Sequence, residues 1–140
     1  MIILDTNVLS ELLLPRPEAR VVAWQNTIPA ETLFITTITE AELRYGVSVL
    51  PTGLRRNKLV FAISALLEED FSGRILPFDS MAAVAYAEIS ASRRKLGHPI
   101  SQFDAQIAAI TRSCGAALAT RNTDDFVDCG IEVVNPWHCG

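Results

Sequence analysis

Short apolar segments alternate with helical ones along the whole chain, and this alternation limits the fold more than any other feature. Met1-Ile2-Ile3-Leu4 is apolar and β-branched, and Asp5 ends it. It reads as a fully buried strand of a parallel sheet. Residues 6–14 then carry Val8, Leu9, Leu12 and Leu13 at helical spacing, stopped by Pro15. Pro17 suits the first turn of a second helix reaching Trp24. Leu33-Phe34-Ile35-Thr36-Thr37 is a second strand, followed by a helix from about Ile38 to Leu50, which Pro51 and Gly53 halt. The next helix has Leu59, Ala62, Ile63, Leu66 and Leu67 on one stripe. Arg74 to Phe78 is a third strand, and Asp79 or Ser80 can cap the helix after it, which ends at Gly97. Ser101 opens another helix, closed by Gly115. Ala116 to Thr120 and Ile131 to Val134 are the fourth and fifth strands, before Asn135-Pro136-Trp137-His138. Strands alternating with helices specify an α/β domain with a mostly parallel five-stranded sheet.

The 140 residues suit one domain spanning 1–140. The net charge of −4 argues against a protein that coats DNA through a basic surface. It leaves open a nuclease that meets nucleic acid through a bound metal. Cys114, Cys129 and Cys139 are odd in number and form no CxxC pair, which argues against a disulfide framework or zinc ribbon. They read as buried or incidental, and a reducing cytoplasm is the expected home. No apolar run approaches a membrane span, and Asp5 interrupts the first apolar stretch, so neither an anchor nor a signal peptide is expected.

In a parallel sheet, ligands bind beyond the carboxyl ends of the strands. Asp5 ends the first strand. Glu42 lies in the first turns of the helix after the second strand. Asp104 opens the helix before the fourth strand, and Asn122, Asp124 and Asp125 follow that strand. Carboxylates from distant parts of the chain are thus expected at one edge. Two of them about 5 Å apart repel by roughly 3 kcal/mol at an effective dielectric of 20. A proton or a divalent cation must relieve that repulsion. Oxygen ligands of this kind suit Mg²⁺ or Mn²⁺, which can activate water and stabilise charge on a phosphate.

Each acid also has a structural explanation. Asp5 can cap the following helix. Thr39-x-x-Glu42 and Ser101-x-x-Asp104 both match the capping-box pattern. Asp79 reads as an ordinary cap, and Asp124 and Asp125 read as solvated turn residues. Asp104 departs from this pattern because apolar Phe103, Ile107, Ala108 and Ile110 surround it.

Four motifs in order bear on this choice. They are Leu4-Asp5-Thr6-Asn7-Val8, Thr39-Glu40-Ala41-Glu42-Leu43-Arg44-Tyr45-Gly46, Phe103-Asp104-Ala105-Gln106-Ile107-Ala108, and Ala119-Thr120-Arg121-Asn122-Thr123-Asp124-Asp125-Phe126. The set resembles the PIN domain, specifically the VapC toxins of bacterial toxin–antitoxin pairs. The closing Asn135-Pro136-Trp137-His138 is similar to the FitB branch, also called plasmid stability proteins. The resemblance covers nearly the whole chain. It implies a three-layer α/β/α fold and a Mg²⁺- or Mn²⁺-dependent endoribonuclease that hydrolyses RNA phosphodiesters by metal-activated water. It places Asp5, Glu42 and Asp104 at the family's acidic positions, as metal ligands and catalytic groups. The fourth such position, often Asp, falls on Asn122, and an amide is a weaker ligand that adds no charge. Asp125 can assist from the same loop. Thr6, Asn7 and Thr120 match small polar residues that orient the acids and waters. Arg121, beside the site, is the expected substrate contact.

The resemblance further implies a cognate antitoxin with its own DNA-binding domain, whose tail lies in a groove and sets a cation against the acids. It implies a homodimer, or a hetero-oligomer with the antitoxin, and exposed apolar residues on the first two helices or the fourth suit such a face. Arg55, Arg56 and Lys58 form one basic cluster. Arg93, Arg94 and Lys95 form another, best read as cations at a helix C-terminus. His98 and His138 lack an evident catalytic partner. Phe34, Phe61, Phe71, Phe78 and Trp24 read as core. Two rival readings remain at this stage: a catalytically weak PIN-fold module that binds nucleic acid or antitoxin, and a Mg²⁺-dependent phosphohydrolase of small molecules. Asn7 stands where the second Asp of the usual phosphohydrolase pair belongs.

Overall fold

The structure, a computed structural model, describes residues 1–138. Strands β1 (Ile2–Leu4), β2 (Leu33–Thr36), β3 (Ile75–Leu76), β4 (Ala117–Ala119) and β5 (Glu132–Val134) form one sheet in the order β3-β2-β1-β4-β5. Every pairing in it is parallel. The helices are α1 (Thr6–Leu12), α2 (Ala19–Asn26), α3 (Thr37–Ser48), α4 (Leu54–Ala65), α5 (Ser80–Lys95) and α6 (Gln102–Ser113).

Successive strand residues point to opposite faces, and the core divides accordingly. Leu4, Leu33, Ile35 and Ala119 pack with Val8 and Leu9 of α1, Val21 and Trp24 of α2, Leu43 and Val47 of α3 and Ile63 of α4. Ile3, Phe34 and Leu118 pack on the other face, with Ala82, Ala85 and Ile89 of α5 and Ile107, Ala108 and Ile110 of α6. The result is three layers: α1 to α4, the sheet, then α5 and α6. The chain runs outward from β1 through β2 to β3, then crosses to β4 and β5 on the other side. The direction of winding therefore reverses between β1 and β4. A crevice opens beyond their carboxyl ends, where open parallel sheets bind ligands.

Several ends differ from the sequence expectation for local reasons. Helix α2 starts at Ala19 with Glu18 as its first flanking residue, so Pro17 lies just outside it. Strand β3 shrinks to Ile75–Leu76 at the sheet's edge, where only one neighbour pairs with it. Thr39 does not open a capping box. Thr36 caps α3, its hydroxyl accepting the Thr39 N–H at 3.1 Å, which leaves Thr39 buried inside the first turn. Phe61 is 78 % exposed and not core. The helical period explains this, because Phe61 falls two residues after Leu59, nearly opposite the Leu59–Ile63 stripe. Asp79 and Ser101 cap α5 and α6 as expected. Gly97 and Gly115, both left-handed, terminate those helices. Cys129 is buried and Cys114 exposed, both as free thiols, while Cys139 lies outside the described residues.

Candidate active site

Asp5 is the most constrained acid of the crevice. It leaves β1 directly into α1 and is only 5 % exposed. Its Oδ1 accepts the Thr6 N–H at 2.8 Å. Its Oδ2 accepts the Asn7 amide at 3.2 Å and the Thr120 hydroxyl at 2.8 Å. Thr120, itself fully buried at the end of β4, also accepts from the Asn7 amide at 3.2 Å and the Asn122 N–H at 3.1 Å. The Asn7 carbonyl oxygen accepts the Arg121 N–H at 3.2 Å. Asp5, Asn7 and Thr120 thus lock the end of β1 to the end of β4.

Glu42 reaches the same place from α3. Its Oε1 accepts the Thr6 hydroxyl at 2.9 Å. The Thr6 and Thr39 hydroxyls lie 3.0 Å apart. A hydroxyl has one hydrogen to give. With the Thr6 hydrogen spent on Glu42, Thr39 is the donor of that pair. Thr6 thereby ties α1 to α3 and fixes the Glu42 carboxylate. Asp104 enters from the first turn of α6, where its N–H is held by the Ser101 hydroxyl at 3.2 Å.

These side chains line one cleft of about 470 Å³, together with Thr6, Asn7, Arg121 and Asn122. Of the residues singled out from sequence, Asp5, Glu42, Asp104, Thr6, Asn7, Arg121 and Asn122 come together there. Thr120 lies beneath it. Asp125 does not line it, although its charge is felt at Asp104. Ser10, Glu11, Leu14 and Trp137 also line the cleft. The signal for the first two was available: Asn7, Ser10 and Glu11 are spaced 0, 3 and 4 along one face of α1, and Leu14 follows just past its end.

The electrostatics are those of acids with no ion-paired cation, although Arg121 lines the cleft and the charge of Arg93 is felt at Asp104. Burial pushes the Asp5 carboxyl up from its ordinary value, opposed by the bonds from Thr120, Thr6 and Asn7 and reinforced by Glu42. Burial also raises Asp104, with the charges of Asp5 and Asp125 adding to it and a bond from Ser101 opposing it. Among the described residues, no Lys or Arg forms an ion pair with any of the three acids. A buried carboxylate without an opposite charge beside it is costly even when hydrogen-bonded. The donor set is oxygen only, which fits a hard divalent cation. The acids share the cleft without closing into a cluster of three around a point, among the described residues.

Arg93 was missed from sequence because it sits inside a basic run. It is 6 % exposed. Its guanidinium donates to the carbonyls of His98 at 2.7 Å and of Asp125 and Val127 at 2.9 Å. It therefore clasps the loop entering α6, which delivers Asp104, to the 3-10 turn Thr123–Phe126, which follows Asn122.

Comparison with known proteins agrees with this geometry. The PIN domain model matches residues 2–130. Toxin FitB of Neisseria gonorrhoeae is 42 % identical over 138 residues, covering 99 % of each chain. VapC ribonuclease Y4jK of Sinorhizobium fredii is 39 % identical over 137 residues, covering 98 % of each. A solved structure of FitAB bound to an IR36 DNA fragment superposes with a TM-score of 0.94 at 41 % identity, covering 100 % of this chain and 98 % of that one. With three acids gathered at the crevice of a parallel sheet, and a family match that runs through every element bearing them, the chain belongs to the PIN domain family.

Proposed function

We propose that this protein is the toxin of a type II toxin–antitoxin pair and a metal-dependent endoribonuclease. One observation carries the reading: Asp5, Glu42 and Asp104 line one cleft at the switch between β1 and β4, and among the described residues no Lys or Arg forms an ion pair with them. The relatives named as a toxin and as a ribonuclease, aligned over nearly their full length, support it.

Asp5, Glu42 and Asp104 would hold Mg²⁺ or Mn²⁺. Such an ion supplies an activated water and neutralises charge on the attacked phosphate. The chain's own residues do the positioning. Thr120 and Asn7 fix both the height and the rotation of the Asp5 carboxylate. Thr6, receiving from Thr39, points Glu42 into the cleft, where it can take the water's proton. Asn122 adds a neutral oxygen without further charge. Arg121, exposed at the rim, meets the RNA backbone.

The same cleft supports the regulatory half of the proposal. It shares Thr6, Ser10, Leu14 and Glu42 with an apolar groove of about 830 Å³ between α1, α3 and α4. Leu13, Leu43, Val47, Leu50, Leu59 and Ile63 line that groove. An antitoxin segment lying there has its end beside the acids, where a cation on it would displace the metal. An antitoxin and an RNA substrate both suit a protein that acts in the cytoplasm. Among the described residues no helix is long and apolar enough to cross a membrane.

Attack by water, rather than by the RNA's own 2′-hydroxyl, leaves a 5′-phosphate and a 3′-hydroxyl. Mapping the ends of RNA cut in Mn²⁺ tests this. The proposal expects ligatable 5′-phosphates. Products ending in a 2′,3′-cyclic phosphate would overturn it.

A further inference from the structure

The acidic cleft opens on two sides of different chemistry. Towards α4 it joins the apolar groove. Past Arg121 and Trp137 it meets a second cleft, of about 410 Å³, lined by Glu18, Arg20, Arg121, Asn135, Trp137 and His138. Two guanidiniums and an imidazole there stand against one carboxylate. The nuclease chemistry described above leaves the Asn135-Pro136-Trp137-His138 motif unused.

The motif builds a fixed floor. Trp137 is buried, and its backbone N–H donates to the Asn135 side-chain oxygen at 2.9 Å. Its carbonyl accepts from the Arg20 guanidinium at 3.3 Å. The Arg121 guanidinium lies 5.0 Å from the centre of the indole ring. The Asn135 amide and His138 Nδ1 are 3.4 Å apart. Arg121, which extends from the acidic cleft into this one, is thus held on a rigid aromatic surface. A guanidinium ordered in this way loses less freedom when it binds a phosphate.

Resting on the ribonuclease reading, we propose that Arg20, Arg121 and the 135–138 turn form a subsite for the phosphate of the RNA nucleotide adjoining the scissile bond. A single strand carries a phosphate at every nucleotide, so one that places its scissile phosphate among the acids must lead its next phosphate out of the cleft. The groove towards α4 also holds Arg55 and Lys58, but neither lines the acidic cleft, whereas Arg121 lines both the acidic cleft and the second one. The polar side offers two forked donors suited to phosphate oxygens. The two exits thereby divide the labour, with the partner protein on the apolar side and RNA on the basic side.

The test uses the full-length chain carrying Asp104→Asn to block cleavage. Its affinity for a labelled RNA hairpin with a single-stranded loop is measured across a salt series. Adding Arg20→Ala should weaken binding on the order of tenfold. It should also shallow the slope of log affinity against log salt by about 0.7, the loss of one phosphate contact. Arg20→Gln separates charge from anchoring, because it keeps a donor for the Trp137 carbonyl. The proposal expects it to behave as Arg20→Ala does, with unchanged affinity for the cognate antitoxin. An Arg20→Gln protein that binds RNA like its parent reduces Arg20 to a brace and overturns the subsite. So does a fall in antitoxin affinity with RNA affinity intact, which would make the cleft a protein contact. Failure of the Asp104→Asn parent to bind RNA, together with failure of the wild-type protein to cut it in Mn²⁺, would overturn the ribonuclease reading and the subsite with it. Normal parental binding with identical salt slopes in all variants would overturn the subsite alone.

Discussion

At the scale of single residues, the site depends on hydroxyls as much as on carboxylates. Thr120 is fully buried and serves Asp5, Asn7 and Asn122 through one oxygen. Thr120→Val keeps the shape and removes every one of those bonds. It takes the Thr120 donor from the buried Asp5 carboxylate, at a cost of about 1–3 kcal/mol, while the Asn7 amide keeps its bond to Asp5. Groups that orient metal ligands are typically worth about 10- to 100-fold in activity. RNA cleavage should fall by that factor, with a measurable drop in melting temperature. The acids themselves give a pH signature. Burial holds Asp5 and Asp104 above the ordinary aspartate value. The native metal-free protein therefore keeps protons that the unfolded chain has already released. Its stability falls as pH rises from the unfolded aspartate range through the raised native values. A metal binds only the deprotonated acids, so protons compete with it. The rise in melting temperature produced by Mn²⁺ should be small near pH 5 and larger near pH 7.5. Differential scanning fluorimetry at the two pH values measures it.

At the scale of elements, Arg93 shows how a helix end can organise a site it does not touch. Its three carbonyl acceptors lie in two loops, and both loops deliver cleft residues. Arg93→Met fills similar space but removes the donor of three part-buried bonds. A loss of at least about 2 kcal/mol in chemical denaturation is expected. Wild-type stability in that variant would show that water replaces the guanidinium without cost. Most elements were legible in the sequence because their signals are local. Asp79 and Ser101 are caps, Gly97 and Gly115 are left-handed stops, and the Leu59–Ile63 stripe marks the buried face of α4. What escaped depended on tertiary contacts. Arg93 looks like its neighbours Arg94 and Lys95 until the fold buries it. Thr39 matches a capping residue until Thr36, one turn earlier, takes that role. Strand β3 keeps only the two residues that its single neighbour can pair.

At the scale of the whole molecule, strand order does the decisive work. Asp5, Glu42 and Asp104 lie far apart in sequence, and the β3-β2-β1-β4-β5 order brings their elements to one crevice. The motifs announced the acids, and the strand–helix alternation announced the edge. Only the fold shows that Leu14 and Trp137 join them, and that the crevice opens on a largely apolar groove on one side and a polar cleft on the other. On the proposed reading, an acidic chain of net charge −4 would act on a polyanion because its negative charge in the cleft would draw a cation there. Cleavage of a panel of structured RNAs by antitoxin-free protein tests this account most directly, run with Mn²⁺, with EDTA, and with the Asp104→Asn variant. The account predicts discrete cuts in Mn²⁺ that vanish with EDTA and fall by at least about a hundredfold in Asp104→Asn. Cuts that persist in EDTA, or in Asp104→Asn at the wild-type rate, would contradict it.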